Sequence, residues 1–333
     1  MDELARLLAD LLDEEERPIE VDAGRDPLRH RLDAIEKSVD DVLWYRRLDG
    51  VADIEKAMIV GPPPANTEAQ SAQAEGNRVR LPTYLFTPLD GEEGDHPLLV
   101  LPHGGVHSNL STQYATVVSE LVEQGYVVVA PEYRGSTGYG KLHYELIDYG
   151  GLEIEDTHAA RKWAADTCEL VDPDRVGILG WSHGGLHTLL TIFEHPADYD
   201  VAYAGVPVSD LVARMGYKSG EYEALYSADY HVGVPAHEDP EEYRRRSPVW
   251  NAERLDTPLR IHTTTNDEDV NVLEVESLIR ALEAEGKEFE YEIFEDAPGA
   301  HLFELLDTRF AQDCRRTIYE FLAEYLDPPT GPE

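Results

Sequence analysis

From residue 78 onward, short apolar runs alternate with amphipathic stretches. RVRLPTYLF (78–86), PLLVLP (97–102), YVVVAP (126–131), RVGILGW (175–181), VAYAGV (201–206), LRIHTT (259–264) and FEYEIF (289–294) are short enough for strands. Between and after them, residues 112–124, 153–167, 184–194, 271–285 and 308–325 carry the spacing of helices. Strands alternating with helices predict an α/β fold, a mostly parallel sheet covered on both faces. In such a sheet the chemistry sits in loops beyond the strand C-termini. The first 77 residues read differently. Leu4, Leu7, Leu8, Leu11 and Leu12 mark one amphipathic helix over 1–16, and Leu28, Leu32, Ile35, Val39 and Val42 mark a second after Pro27. Such stripes are packing surfaces, here against the main body or another subunit. GPPPANTEAQSAQAEGN (61–77) then reads as a loop or linker. The expected layout is a helical N-terminal extension and linker over 1–77, a main domain over 78–327 and a tail over 328–333.

Composition narrows the class of partner. The chain has 333 residues, with 67 Asp and Glu against 28 Lys and Arg, a net charge of −39. A surface this negative repels nucleic-acid phosphates and anionic lipid headgroups, so neither is expected as a partner. No apolar run approaches the roughly 18 residues of a membrane span. The acidic N-terminus lacks the positive start of a secretory signal, so a cytoplasmic location is expected. Two cysteines, Cys168 and Cys314, exclude a disulfide framework. Lys occurs at only six positions (37, 56, 141, 162, 218 and 287), and carboxylates are spread along the whole chain. Dense salt screens the self-repulsion of such a charge, within about 3 Å at 1 M. The pattern is similar to that of cytoplasmic proteins from salt-accumulating halophiles.

The chemistry begins at Gly180-Trp181-Ser182-His183-Gly184, which ends an apolar strand and opens a helical stretch. A serine in such a strand-to-helix turn presents its hydroxyl at the sheet's edge, and the following amide, on His183, faces a bound carbonyl oxygen. His103-Gly104-Gly105-Val106-His107-Ser108 follows an earlier strand, where the amides of Gly104 and Gly105 are candidates for a second oxyanion donor. A nucleophilic serine needs a base, and the base an orienting carboxylate. Downstream, Asn266-Asp267-Glu268-Asp269-Val270 and the loop ending Gly299-Ala300-His301 both follow strands. They therefore fall on the same edge as Ser182. His301 is the best base, while His195, His231, His237 and His262 are expected at the surface or in packing.

Taken together, PEYRGSTGYG (131–140), GWSHGG (180–185), SPVWNAERLDTPLRIH (247–262), NDEDV (266–270) and GAH (299–301) resemble the catalytic domain of the prolyl oligopeptidase family. The likeness runs over about residues 78–327. It implies an α/β-hydrolase fold with Ser182 as nucleophile, Asp267 as the acid of Asp-x-x-Val, and His301 as base. His103–Ser108 is similar to the family's HGGPHS oxyanion segment, with Val106 in place of Pro. The chain departs from the family in lacking the large N-terminal β-propeller, so a preference for free peptide N-termini does not carry over. The implied activity is a serine-type peptidase acting on peptides or acyl-peptide amides. A carboxylesterase with the same triad is the alternative, and a non-catalytic hydrolase-fold binding protein a third reading.

Two weaker signals complete the reading. His183 and His187 stand four apart, the spacing of two zinc ligands on a helix, but the glutamate of His-Glu-x-x-His is missing, so no metal and no cofactor is expected. Residues 210–250, rich in Tyr with Arg244-Arg245-Arg246, are either a small cap over the site or a solvated insertion. The expected partners are a peptide or small acyl substrate and, through the N-terminal stripes, further copies in a homo-oligomer.

Overall fold

A computed structural model describes residues 27–65 and 78–332, so the helix expected over 1–16 and most of the 61–77 loop lie outside the described residues. The first half contains α1 (Pro27–Arg47), β1 (Ala52–Val60), β2 (Arg80–Pro88), β3 (His96–Val100), α2 (Ala115–Glu123), β4 (Val127–Pro131), α3 (Lys141–Tyr144), α4 (Leu152–Thr167) and β5 (Val171–Trp181). The second contains α5 (His183–Glu194), β6 (Val201–Gly205), α6 (Leu211–Tyr217), α7 (Gly220–Tyr226), α8 (Pro240–Arg245), β7 (Leu259–Thr264), α9 (Val272–Ala284), β8 (Glu290–Phe294) and α10 (Arg309–Leu326). One eight-stranded sheet runs in the order β1-β2-β4-β3-β5-β6-β7-β8. β1 and β2 pair antiparallel, as do β2 and β4, and every other pairing is parallel.

The period-2 alternation of the central strands divides the core into two layers. Leu98, Val100, Val127, Val129 and Ile178 face one side, where α4, α5 and α9 contribute Ile154, Leu186, Leu189, Val275 and Leu278. Leu99, Leu101, Val128, Ala130 and Leu179 face the other, against Trp44 of α1, Val118 and Leu121 of α2, and Ile318 and Leu322 of α10. Burial on both faces explains why these strands read as continuous apolar runs. The architecture is the α/β-hydrolase fold.

One N-terminal expectation needs correction and a second is narrowed. Residues 52–60, placed in a helical extension and linker, form β1, which pairs with β2 from Ala52↔Pro88 to Val60↔Arg80. The stripe on α1 does not pack on the body: Leu28, Leu32, Ile35, Val39 and Val42 are all more than half exposed. The body takes the opposite face of α1, with Trp44 in the core and Lys37 buried. Lys37 Nζ lies 2.8 Å from a Glu132 carboxylate oxygen and donates to the Leu110 carbonyl.

Candidate active site

β5 delivers Ser182 to the sheet's C-terminal edge, and α5 begins at the next residue. Ser182 has φ 60° and ψ −118°, a conformation that costs a non-glycine residue on the order of 1–3 kcal/mol. The turn closes only because its flanking residues lack side chains. A Cβ on Gly180 would sit 2.3 Å from the Gly184 carbonyl oxygen, and one on Gly184 would sit 2.3 Å from that of Pro102. Ser182 N–H donates to the Gly205 carbonyl, while its own carbonyl accepts from Leu186 and Val208. The backbone groups of Ser182 are thus held from β6, from α5 and from the loop after β6.

The loop after β7 supplies Asp267, whose side chain is fully buried. One carboxylate oxygen accepts the backbone N–H groups of Asp269 and Val270, at 2.8 and 2.9 Å. The other lies 2.7 Å from His301 Nδ1, so the imidazole donates Nδ1–H and its Nε2 is left to act elsewhere. Asp269 lies differently. Its side chain is 64% exposed and pairs with Lys218 Nζ at 3.0 Å. Burial alone would raise the Asp269 carboxyl, but the Lys218 hydrogen bond and the nearby His301 and Arg214 hold it below the ordinary range. The structure thus brings Asp267 and His301 together.

His301 sits on a loop braced from beneath. Three residues on, the buried Glu304 accepts from Trp181 Nε1 at 2.6 Å and lies 2.6 Å from His262 Nδ1. Arg315 of α10 donates to the Glu304 carbonyl at 2.7 Å. Glu304 thereby links the elbow, β7 and the histidine loop.

Ser182, His183, His301, Gly104, Gly105 and Asp269 line one cavity of about 290 Å³. Gly104 does not do what its motif suggested. Its N–H donates to the Tyr114 hydroxyl at 2.8 Å, which removes it from the set of free oxyanion donors and leaves Gly105 and His183. Tyr114 is buried, and burial pushes its phenol up to about 12. Residues 210–250 form α6, α7, α8 and their connections, and Arg214 and Tyr222 from this segment line the same cavity. Arg214 is anchored there by Glu274 at 3.3 Å and by the hydroxyls of Tyr217 and Tyr222, both at 2.9 Å.

Of the other histidines, His262 and His231 are buried, His195 pairs with Glu155 at 2.8 Å, and the His237 side chain is 72% exposed. Tyr114, Glu304 and Arg214 escaped sequence reading. Each acts through a contact between segments, and none belongs to a local motif. No helix among the described residues is long and apolar enough to cross a membrane.

Comparison with known proteins bears on the family and the fold. Residues 112–329 match the sequence profile of the prolyl oligopeptidase family. The acylamino-acid-releasing enzyme of Arabidopsis thaliana is 28% identical over 218 residues, covering 63% of this chain and 28% of that protein. An uncharacterized peptidase of Bacillus subtilis, YuxL, is 30% identical over 224 residues, covering 66% of this chain and 33% of its own length. The chain thus spans about a third or less of these relatives. Among solved structures, a Pyrococcus horikoshii acylaminoacyl peptidase superposes with a TM-score of 0.68 at 17% identity, covering 86% of this chain and 44% of that one. A Mycobacterium tuberculosis puromycin-hydrolyzing peptidase superposes at 0.67 with 23% identity, covering 84% and 40%.

Proposed function

Since the chain belongs to the prolyl oligopeptidase family, we propose that it is a serine peptidase, cleaving peptides or acyl-peptide amides through Ser182, Asp267 and His301. The observation that carries this reading is the 2.7 Å contact between Asp267 and His301 Nδ1, with His301 on the same cavity as the strained Ser182. His301 Nε2 takes the Ser182 proton as the hydroxyl oxygen attacks the substrate carbonyl. Asp267 fixes the tautomer and stabilises the imidazolium that forms. The backbone N–H groups of His183 and Gly105 receive the oxyanion, and the N-terminus of α5 adds its dipole. His301 then protonates the leaving amine and activates the water that hydrolyses the acyl-enzyme.

The segment 210–250 acts in this reading as a small cap, with Arg214 and Tyr222 shaping the acyl pocket. We assign the chain to the cytoplasm of a salt-accumulating cell on its charge, and assign the α1 stripe to a homo-oligomer. The stripe's spacing, 28-32-35-39-42, is that of a coiled-coil seam. Parallel assays test the activity. Acylated amino-acid and dipeptide anilides should be cleaved by the wild type and not by Ser182→Ala. Turnover of p-nitrophenyl esters alone would assign the site to a carboxylesterase.

A further inference from the structure

Behind the nucleophile, α4 and α5 bring three ligand-bearing side chains together in the interior. Glu153, the second residue of α4, is fully buried, and so are His183 and His187 on one face of α5. The Glu153 Oε1 atom lies 2.7 Å from His183 Nε2 and 3.4 Å from His187 Nε2. The three ligand atoms all fall within 4.8 Å of one another. The glutamate absent from the local sequence motif is thus supplied from 30 residues upstream.

The hydrogen-bond directions around His187 decide what the cluster can hold. The Thr157 hydroxyl lies 3.3 Å from the Glu153 carbonyl and 2.8 Å from His187 Nδ1, and in the tautomer with hydrogen on Nδ1 it donates to the first and accepts from the second. Neutral His187 then carries its lone pair on Nε2, turned toward the Glu153 carboxylate. That tautomer sets two electron-pair donors face to face in the core. His187 Nε2 and Glu153 Oε2 are both buried without a hydrogen-bond partner. Such orphaned groups cost about 1–3 kcal/mol each.

We propose that Glu153, His183 and His187 form a binding site for a divalent transition-metal ion of the zinc class. Two imidazoles and one carboxylate are a recognised zinc ligand set. Ligands at about 2.0–2.1 Å around a tetrahedral ion stand roughly 3.3 Å apart, against 2.7 and 3.4 Å from Glu153 Oε1 to the two imidazoles. The support for the ligands is also present. Thr157 holds the far nitrogen of His187, Gly150 N–H donates to Glu153 at 2.7 Å, and the Tyr149 ring stacks on His183 at 4.3 Å. The ion would join α4 to α5 and fix His183, whose backbone amide is the proposed oxyanion donor. Because the site is buried, metal enters during folding.

The test uses the full chain, denatured, stripped with a chelator and refolded in molar KCl with Co²⁺. Uptake of about one ion per chain is expected, with a visible absorption band from imidazole-bound cobalt that Zn²⁺ abolishes. His187→Gln removes a ligand yet leaves an amide able to donate to Glu153. Folded by circular dichroism, it should lose the band. Thr157→Val keeps all three ligands and should weaken binding about tenfold or more. His158→Leu, in a second cluster with His195 and Asp198 on the partly exposed face of α4, should change neither result. Absence of the band in the refolded wild type overturns the proposal. So does a band that survives in folded His187→Gln, is unaltered by Thr157→Val, or disappears with His158→Leu. The readout is independent of peptidase activity, so its failure leaves the hydrolase reading standing.

Discussion

Asp267 and Asp269 stand two residues apart with opposite fates, and their separation is a matter of backbone hydrogen bonds. Asp267 is clamped by two N–H groups and turned to His301, while Asp269 reaches Lys218 at the cavity rim. Asp267→Asn should therefore keep the fold and lower kcat by about 10⁴, the loss seen for the same change in serine proteases. Asp269→Asn should cost no more than about tenfold, on the order of 1.4 kcal/mol. Steady-state kinetics on both variants, folded by circular dichroism, check this, and a nearly dead Asp269→Asn would reverse the assignment. Tyr114→Phe leaves the half-buried Gly104 N–H without its acceptor, a penalty of about 1 kcal/mol on the oxyanion loop. Its kcat/KM should fall at least about fivefold with KM little changed, and unaltered kinetics would show the hydroxyl to be idle. Ser182 and His301 were legible because their motifs are local and each follows an apolar strand. Asp267 was legible only through a resemblance, since the residues alone offered three carboxylates in a row. Glu153, Tyr114 and Glu304 were not, because their roles arise where separate segments meet.

At the scale of elements, buried strands announced themselves and the edge strand did not. β7 was read to the residue, as Leu259–Thr264, because both its faces are covered. β1 carries Asp53, Glu55 and Lys56 among its apolar positions and has β2 as its only strand partner among the described residues, so its pattern is diluted. The α1 stripe was visible, but not which face the body would take. The body takes the face carrying Lys37 and Trp44, because Glu132 and the Leu110 carbonyl offer partners there. Deleting residues 1–60 removes a nine-residue antiparallel pairing and uncovers the β2 edge. The truncated protein should aggregate, and a soluble, equally stable product by light scattering and thermal denaturation would contradict that packing. The Arg134 guanidinium, fully buried after β4, meets Asp156 of α4 through two hydrogen bonds of 2.7 and 2.8 Å, beside a third from the Arg134 backbone N–H at 2.9 Å. Arg134→Met strands the carboxylate and should cost about 3–5 kcal/mol in chemical denaturation. A loss below about 1 kcal/mol would show that Asp156 finds another partner.

For the whole molecule, two solution variables carry the predictions. With a net charge of −39, activity and thermal midpoint should rise together from dilute buffer to molar KCl, as screening shortens from about 10 Å at 0.1 M to about 3 Å at 1 M. A protein equally folded and active at 50 mM and 2 M salt, taken as roughly the two ends of the screening range, would refute adaptation to salt. Acidity acts through buried histidines. Burial pushes His107 down to about 3 and His143 and His187 down to about 4, and holds His103 and His231 low as well. These imidazoles stay neutral in the folded chain but charge below about 6.5 in the unfolded one. The unfolded state then binds more protons, so stability falls as pH drops from about 6.5 toward 4. The thermal midpoint in molar KCl should be at least about 5 °C lower at pH 5.5 than at pH 7.5. An unchanged midpoint would mean that these groups titrate alike in both states.

The central claim is that Ser182 is a nucleophile activated by His301, and covalent capture tests it most directly. Wild-type protein treated with a fluorophosphonate in molar KCl should gain one phosphonyl group, located on Ser182 by peptide mass mapping. His301→Gln, equally folded, should label far more slowly. A folded wild type that gains no adduct, or carries it on another residue, would contradict the account.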